Sequence, residues 1–308
     1  MAGLGGPPPR DGIILAPASM SIPTPPLIPH FSMLAPGYDV VLCDVWGVVH
    51  NGVAAFAEAG QALTQFRARH GTVILITNAP RPAAFVRKLL DRLAVPRAAY
   101  DAIVTSGDVT HAIIAARAGE RVFHIGPERD LPIFDGLDAP LAPIDEADYV
   151  VCSGLFDDTV ETPQDYTALI EKLCARGLPM VCANPDVVVE RGDKLVYCAG
   201  AIADLYAAAG GAVIFAGKPH RPIYQQALDT AGALRGSASA PERVLAIGDS
   251  VRTDLEGAAA FGIDCLFVTG GIHAGELGER DAPDAAALGD IFATAGRMPK
   301  AITPRLVW

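Results

Sequence analysis

The stretch LCDVWGVVHNG, from Leu42 to Gly52, places an aspartate at the end of an apolar run and just before a glycine-marked turn. The residues DVVLC that lead up to it are apolar and β-branched, which is typical of a strand buried on both faces of a parallel sheet. Asp44 is therefore expected at the carboxyl end of a buried strand. Two residues further on, where an acid would be useful, the chain carries Trp46.

The alternation of buried strands and helices recurs along the chain and predicts an α/β fold. Short apolar runs alternate with segments of helical period, which favours a Rossmann-like parallel sheet covered by helices on both faces. The predicted core strands are residues 39–45, 72–78, 101–106, 212–217, 243–249 and 265–271.

A long segment, residues 119–209, interrupts this pattern between the third and fourth predicted strands. It carries strands and a helix of its own, and a structureless loop of that length is uncommon inside a compact domain. We therefore predict an inserted α/β domain, so that the core consists of residues 36–118 and 210–308. Residues 1–35 are rich in proline, glycine and serine and are expected to form an arm over the surface.

The composition excludes several classes of protein and partner. Hydrophobic residues make up 51% of the chain, which indicates a globular protein, and the net charge of -11 argues against a nucleic-acid partner. The six cysteines form no CxxC pair and are expected to be reduced. The N-terminus does not resemble a signal peptide, and the apolar window 200–217 is broken by Asp204 and a glycine pair, so we expect a cytoplasmic protein without a membrane partner.

Polar side chains follow four of the predicted core strands. Asp44 follows VVLC, Thr77 and Asn78 follow VILI, Lys218 follows VIFAG, and Asp249 follows RVLAIG. In an open parallel sheet, ligands bind outside the carboxyl ends of the strands, near the point where the strand order reverses. These side chains are therefore expected to converge on one site.

The residue types in this set indicate phosphoryl chemistry. The carboxylates of Asp44 and Asp249, with Asp254 in the following GDSVRTD segment, are hard oxygen ligands that suit Mg²⁺. Lys218 adds a second cation. A metal and a lysine together can neutralise a phosphoryl group while an aspartate attacks it, so we expect a small phosphate ester as the substrate.

Four motifs of the chain, DVWGVVHNG, LITNAPRP, AGKPHRP and IGDSVRTD, resemble in type and order the motifs of the haloacid dehalogenase (HAD) superfamily. The large insert between the second and third motifs is similar to its class IIA branch, which includes relatives of NagD, the 4-nitrophenylphosphatases and the pyridoxal phosphate phosphatases. The resemblance covers about residues 38–271. It implies a Mg²⁺-dependent phosphatase with a C2-type cap, a type of protein that often forms a homodimer through the cap.

The resemblance also implies a role for each motif residue. Asp44 would be the nucleophile, and Lys218 would stabilise both the nucleophile and the phosphate. Thr77 and Asn78 would hold the phosphoryl group. The implied metal site consists of the carboxylates of Asp44 and Asp249 and the backbone carbonyl of Trp46, oriented by Asp254.

One further motif lies in the predicted cap. The NPD stretch from Asn184 to Asp186 matches a stretch found in caps of this branch, which makes Asn184 and Asp186 candidates for substrate contact. A turn after the strand PMVCA explains the same residues equally well.

Trp46 is the departure from the family pattern. Members that hydrolyse phosphate esters usually carry a second aspartate there, which protonates the leaving oxygen, and an indole cannot replace it. General acids typically contribute about 10²- to 10⁴-fold in rate. His50 and His220 are the nearby titratable residues that would have to substitute.

Three functions are consistent with this combination of residues. The first is a phosphohydrolase with impaired leaving-group protonation, which retention of Asp44 favours. The second is a regulatory or phospho-ligand-binding protein of weak activity, which Trp46 favours. The third is a dehalogenase, whose relatives also carry an aromatic residue two places after the nucleophile; the metal-type motif GDSVRTD and the C2 position of the insert argue against it.

Overall fold

The computed structural model describes residues 25–191, 194–279 and 282–308, so most of the predicted N-terminal arm lies outside the described residues. Its strands are numbered along the chain. They are β1 (Val40–Asp44), β2 (Thr72–Thr77), β3 (Ala102–Thr105), β4 (Val122–Ile125), β5 (Tyr149–Cys152), β6 (Met180–Cys182), β7 (Val188–Arg191), β8 (Lys194–Tyr197), β9 (Val213–Phe215), β10 (Val244–Gly248), β11 (Asp264–Val268), β12 (Gly278–Glu279), β13 (Ala282–Pro283) and β14 (Ala301–Thr303).

The α-helices are numbered in the same way, and a π-helical turn at Val251–Leu255 leads into the seventh. They are α1 (Ala57–Ala68), α2 (Ala83–Arg92), α3 (Ser106–Ala115), α4 (Thr167–Arg176), α5 (Ala199–Ala208), α6 (Arg221–Arg235), α7 (Glu256–Phe261), α8 (Ala274–Leu277) and α9 (Ala285–Ala295).

A six-stranded parallel sheet in the order β14-β11-β10-β1-β2-β3 confirms the predicted α/β core. Every residue of β1, β2 and β10 is buried, as expected for strands with helices on both faces. Side chains alternate between the two faces: Val41 and Cys43 pack in the cluster that contains α1 and α2, whereas Val40 and Leu42 pack against α6 and α9.

A second parallel sheet, in the order β4-β5-β6-β9, forms the inserted region. We call the region that carries this sheet the cap. Helices α4 and α5 pack in its core, and the antiparallel pair β7–β8 projects from it. The strand β9 corrects the sequence interpretation, which assigned residues 212–217 to the core sheet: Val213 pairs with Met180 of the cap. The exact domain limits stay a prediction, but the pairing of β9 favours an end of the cap after Ala209.

The chain order of the core strands sets the position of the site. After β1 the chain adds β2 and β3 on one side, and after the cap it returns to add β10 and β11 on the other side of β1. The strand order therefore reverses between β1 and β10, at whose carboxyl ends Asp44 and Asp249 lie. This is the switch point at which ligands bind in open α/β sheets.

The last part of the N-terminal arm packs on the core, so the ordered structure begins before residue 36, where the predicted core starts. Leu27 pairs with Ile302 of β14, and Phe31 is buried against Phe66 and Trp308, with ring centroids 5.5 and 5.7 Å away. This aromatic cluster joins the segment before β1 to the C-terminal residues. The short strand β14, the pair β7–β8 and helix α3 were not predicted.

Two other expectations concern cysteines and membrane spans. All six cysteines are free thiols. In the part of the chain that the structure describes, none of the helices has both the length and the apolar character needed to cross a bilayer.

Candidate active site

A buried lysine lies between two carboxylates at the centre of the site. The Nζ atom of Lys218 is 2.7 Å from Oδ1 of Asp44 and 2.6 Å from Oδ1 of Asp254. Lys218 follows the cap strand β9, Asp44 ends β1, and Asp254 lies in the π-helical turn after β10. The ion pairs thus join three segments that are far apart in sequence.

Burial and charge act in opposite directions on this lysine. Burial by itself lowers the pKa of the Lys218 ammonium, but the carboxylates of Asp254 and Asp44 raise that pKa well above its usual value. The lysine is therefore charged across the physiological pH range. Removing either carboxylate would leave a buried charge with one partner fewer, which is strongly destabilising.

The site holds more acids than the single lysine can neutralise when all of them are ionised. Asp44, Asp249 and Asp254 are buried, and ligand oxygens of all three lie within 4.8 Å of one another. Burial is the main cause that raises the pKa of Asp44 to about 7. Burial is also the largest cause that raises the pKa of Asp249 well above its usual value, and the negative charges of Asp44 and Asp254 add to it. Three carboxylates against one ammonium leave a formal excess of two negative charges.

This donor set fits a divalent metal ion. Magnesium prefers carboxylate oxygens, and a doubly charged cation would balance the excess charge. The Oδ2 atom of Asp249 accepts a hydrogen bond from the backbone N–H of Ile272 at 2.7 Å, which fixes the orientation of the carboxylate. Side chains at Gly47 and Gly271 would overlap this carboxylate, so the two glycines leave the room that it occupies.

Asn78 connects the core, the lysine segment and the cap. Its Oδ1 atom accepts a hydrogen bond from the backbone N–H of Lys218 at 2.7 Å, while its Nδ2 atom donates to Oδ1 of Asp186 at 2.9 Å. Asp186 lines the same cavity as Asp44, and burial raises its pKa. Asn184 differs from the other candidates, because it accepts a hydrogen bond from the N–H of Asp186 and lines a small neighbouring cavity.

The active-site cavity has a volume of about 500 Å³ and lies between the core and the cap. Of the candidates, Asp44, Trp46, Thr77, Asn78, Asp186, Lys218 and Asp249 line it, whereas Asp254 lies behind Lys218. Sequence reasoning missed the contribution of the β7–β8 pair, which supplies Val188, Val189, Lys194 and Leu195. The apolar runs VVV and LVY on either side of a Gly-Asp pair, in the stretch VVVERGDKLVY next to the NPD stretch, were the available signal for this hairpin.

The two histidines considered as replacement acids do not line this cavity. His50 is 1% exposed, its Nδ1 atom accepts a hydrogen bond from the N–H of Gly52 at 2.9 Å, and its ring packs edge-on against Trp46. Burial lowers the pKa of His50 to about 4. His220 stacks on Phe215 at 4.6 Å. Both rings therefore have local packing roles.

The burial of His50 predicts a specific loss of stability in acid. A pKa of about 4 in the folded state lies below the value of about 6.5 in the unfolded chain, so the unfolded state binds more protons between these limits. The contribution of His50 to the free energy of unfolding should thus be fully present above about pH 6.5. It should fall as the pH drops towards 4, by up to about 1.4 kcal/mol per pH unit for each such histidine.

The variant His50→Gln should show a shallower fall when urea unfolding is measured at pH 7.5 and pH 5. His124→Gln is the positive control, because burial also lowers the pKa of His124 to about 4 at a site in the cap. Its pH dependence should become shallower by a similar amount. An unchanged pH dependence in His50→Gln would show that the ring is not held neutral by burial.

Comparisons with known proteins agree with this geometry. The family model described as "Haloacid dehalogenase-like hydrolase" matches residues 41–139, and a second model for HAD-like hydrolases matches residues 215–293. The two matches lie on either side of most of the cap.

Three relatives show how far the similarity extends. D-glycerol 3-phosphate phosphatase of Mycobacterium tuberculosis is 30% identical over 245 residues, which are 78% of this chain but only 65% of that protein. The crystal structure of a haloacid dehalogenase-like hydrolase from Brucella suis 1330 is 48% identical with a TM-score of 0.82, covering 91% of this chain and 100% of that one. NagD of E. coli K-12, at 19% identity and a TM-score of 0.63, shares the fold over 87% of this chain and 96% of its own.

The similarity to the Brucella suis hydrolase and the order of the motifs assign the chain to the same family. The insertion of the cap between the core strands β3 and β10 is the class IIA arrangement. The chain belongs to the haloacid dehalogenase-like hydrolase family, in its class IIA branch.

Proposed function

We propose that this protein is a Mg²⁺-dependent phosphohydrolase that cleaves a small phosphate ester through an aspartyl-phosphate on Asp44. The observation that carries the proposal is the carboxylate of Asp44, which lines the cavity and is 2.7 Å from the buried ammonium of Lys218. A relative that is 30% identical is a D-glycerol 3-phosphate phosphatase, which supports the same reaction class.

Asp44 is the proposed nucleophile. Its carboxylate oxygen forms a bond to phosphorus while the bond from phosphorus to the ester oxygen breaks, and the electron pair of that bond leaves with the oxygen. Water then cleaves the aspartyl-phosphate, releasing phosphate and restoring the carboxylate. Lys218 stabilises the charge on the phosphoryl oxygens, and the Thr77 hydroxyl supplies a neutral donor. Asn78, the other predicted phosphate-binding residue, contributes by holding the backbone of Lys218, because its amide N–H groups already donate to Asp186 and to the Lys218 carbonyl.

The carboxylates of Asp44 and Asp249, with the backbone carbonyl of Trp46, are the proposed ligands of the metal. The ion would supply positive charge next to the phosphoryl group. Asp254 helps to orient the site, because it is the second partner of the lysine that contacts Asp44. The cytoplasmic location and the pairing through the cap stay predictions.

The step that lacks an obvious partner is protonation of the leaving oxygen. Trp46 has no acidic proton to donate, and His220 does not line the cavity. His50 lines only the neighbouring cavity beyond Trp46, and burial lowers its pKa to about 4, so its ring is neutral at physiological pH. We therefore propose that the leaving group departs largely as an anion. Trp46 also favours a second candidate function, the binding of a phosphorylated ligand with slow turnover, and measured turnover separates the two.

The direct test is turnover of 4-nitrophenyl phosphate with Mg²⁺ and with a chelator in its place. We expect Mg²⁺-dependent release of nitrophenol, and loss of it in Asp44→Asn, which keeps the shape of the side chain but removes the nucleophilic charge. Phosphate release by Asp44→Asn at the wild-type rate would refute the covalent route. Binding of phosphate without turnover by the wild type would favour the second function.

The proposed metal site predicts a loss of affinity when Asp249 is changed. Calorimetric titration of Asp249→Ala should show Mg²⁺ affinity reduced by about tenfold to a hundredfold or more, because a carboxylate ligand of a hard cation is lost. The control is Asp145→Asn, which removes an exposed carboxylate from the cap. Equal affinity in Asp249→Ala and the control would remove this residue from the metal site.

The absence of a general acid predicts a steep dependence of rate on leaving-group acidity. Aryl phosphates should turn over much faster than alkyl phosphates in the wild type, since alkoxides need a proton to leave. Trp46→Asp should raise kcat for alkyl phosphates by about one to three orders of magnitude and change aryl phosphate turnover little. The control Trp46→Phe alters packing without adding an acid. An equal response of both substrate types in Trp46→Asp would show that another group, such as Asp186, supplies the proton.

A further inference from the structure

A second cavity lies on the other side of Trp46 from the one that contains Asp44. Its volume is about 520 Å³, and Trp46 and Thr77 line both cavities. The two cavities therefore adjoin at these two residues, and a molecule that occupies both must pass the indole of Trp46. We call it the basic cavity, from the side chains that surround it.

The charged residues that line the basic cavity are all cationic in the part of the chain that the structure describes. They are Arg81, Lys88, Arg92, Arg129 and Arg191. The whole chain has only 24 lysines and arginines against 35 acidic residues, a net charge of -11. The charge around this cavity is thus opposite in sign to the net charge of the whole protein, and the five cations make the cavity a local site for anions.

Helix α2 supplies one wall of the basic cavity. Lys88 and Arg92 are four residues apart and lie on one face of this helix, together with Phe85 and Leu89. Both apolar side chains are half-buried, whereas Lys88 and Arg92 are exposed. This face therefore combines an apolar surface for the body of a ligand with two cations at its solvent side.

The cap supplies the opposite wall, and its arginines are held in position by acids. Arg129 and Arg191 both contact Oδ2 of Asp158, at 2.5 and 2.8 Å. Arg81 of the core reaches Asp130 of the cap at 3.6 Å. These two acids balance two of the five cations, so that three positive charges remain around the cavity.

We propose that the basic cavity binds a second anionic group, a carboxylate or a phosphate, at the end of the substrate remote from the phosphoryl group that is cleaved. The proposal rests on the proposed function, because it assigns the substrate class of the same site: phosphate esters whose leaving group is itself an anion. Trp46, Phe85 and Leu89 contact the middle of the substrate, and the cations of the core and the cap contact its far end. Both domains then bind one ligand.

A nucleic-acid backbone is the other common partner of clustered lysines and arginines. It does not fit here, because such backbones require a basic stripe over an accessible surface, whereas these cations surround a cavity of an acidic protein. The chemistry of the site is that of a small dianionic or more highly charged molecule.

The test compares aryl phosphates that differ only in the group opposite the phosphate. They are 4-(carbamoylmethyl)phenyl phosphate, which is neutral there, 4-(carboxymethyl)phenyl phosphate and 4-(phosphonomethyl)phenyl phosphate, in which the methylene group insulates the ring and keeps the leaving-group acidities similar. We expect kcat/KM to be about threefold to thirtyfold higher for the anionic esters, mainly through KM, as for one or two partly exposed ion pairs. The preference should weaken as salt is added. The carboxylate and phosphonate esters distinguish the two kinds of anion.

Variants of α2 assign the effect to the basic cavity. The double variant Lys88→Gln with Arg92→Gln should bring the ratio of kcat/KM for anionic and neutral esters close to one. The control is Arg87→Gln, an exposed cation of the same helix that does not line the cavity, and it should leave the ratio unchanged.

Equal kcat/KM for anionic and neutral esters in the wild type, or a ratio that the double variant does not change, would overturn the proposal. Failure to hydrolyse even 4-nitrophenyl phosphate would instead refute the proposed function. In that case calorimetric titration with 4-carboxyphenylphosphonate and 4-carbamoylphenylphosphonate, which cannot be hydrolysed, still decides whether the wild type prefers the second anion and whether the double variant loses that preference.

Discussion

The buried ammonium of Lys218, held between Asp44 and Asp254, is the interaction on which the site depends. A lysine that is 2% exposed is tolerated only because two carboxylates lie within 2.7 Å of it. Lys218 enters the core directly after the last strand of the cap, so these contacts also fix where the chain returns from the cap. Asn78 adds to this constraint by accepting a hydrogen bond from the backbone N–H of Lys218.

The same burial that makes the lysine costly to place also prepares the site for cations. Desolvation raises the pKa of Asp44 and Asp249, which means that their charged forms are unfavourable without further positive charge nearby. A divalent ion would supply that charge and stabilise the ionised carboxylate that a nucleophile requires. The electrostatics of the folded chain are in this way matched to metal binding and phosphoryl chemistry.

Trp46 separates the two cavities that we propose for the two ends of a substrate. Its ring packs against His50, and a side chain at Gly52, where φ is +85°, would overlap the indole. The turn after β1 is thus shaped around a large aromatic side chain, which an aspartate would not fill. The residue that removes the expected general acid also forms an apolar wall between the nucleophile and the basic cavity.

The sequence by itself determined the parallel core, because strands buried on both faces are continuously apolar and differ clearly from the amphipathic helices between them. The positions of Asp44, Thr77 and Asp249 after those strands followed from the same pattern. The sheet to which β9 belongs was decided only by tertiary structure, since three apolar residues fit either sheet equally well. The hairpin over the site, the inward burial of His50 and the convergence of Lys88 with Arg191 likewise depend on packing between segments far apart in the chain. An exposed cation on a helix has the same local pattern whether it faces solvent or a cavity, so only the folded arrangement of core and cap distinguishes the two.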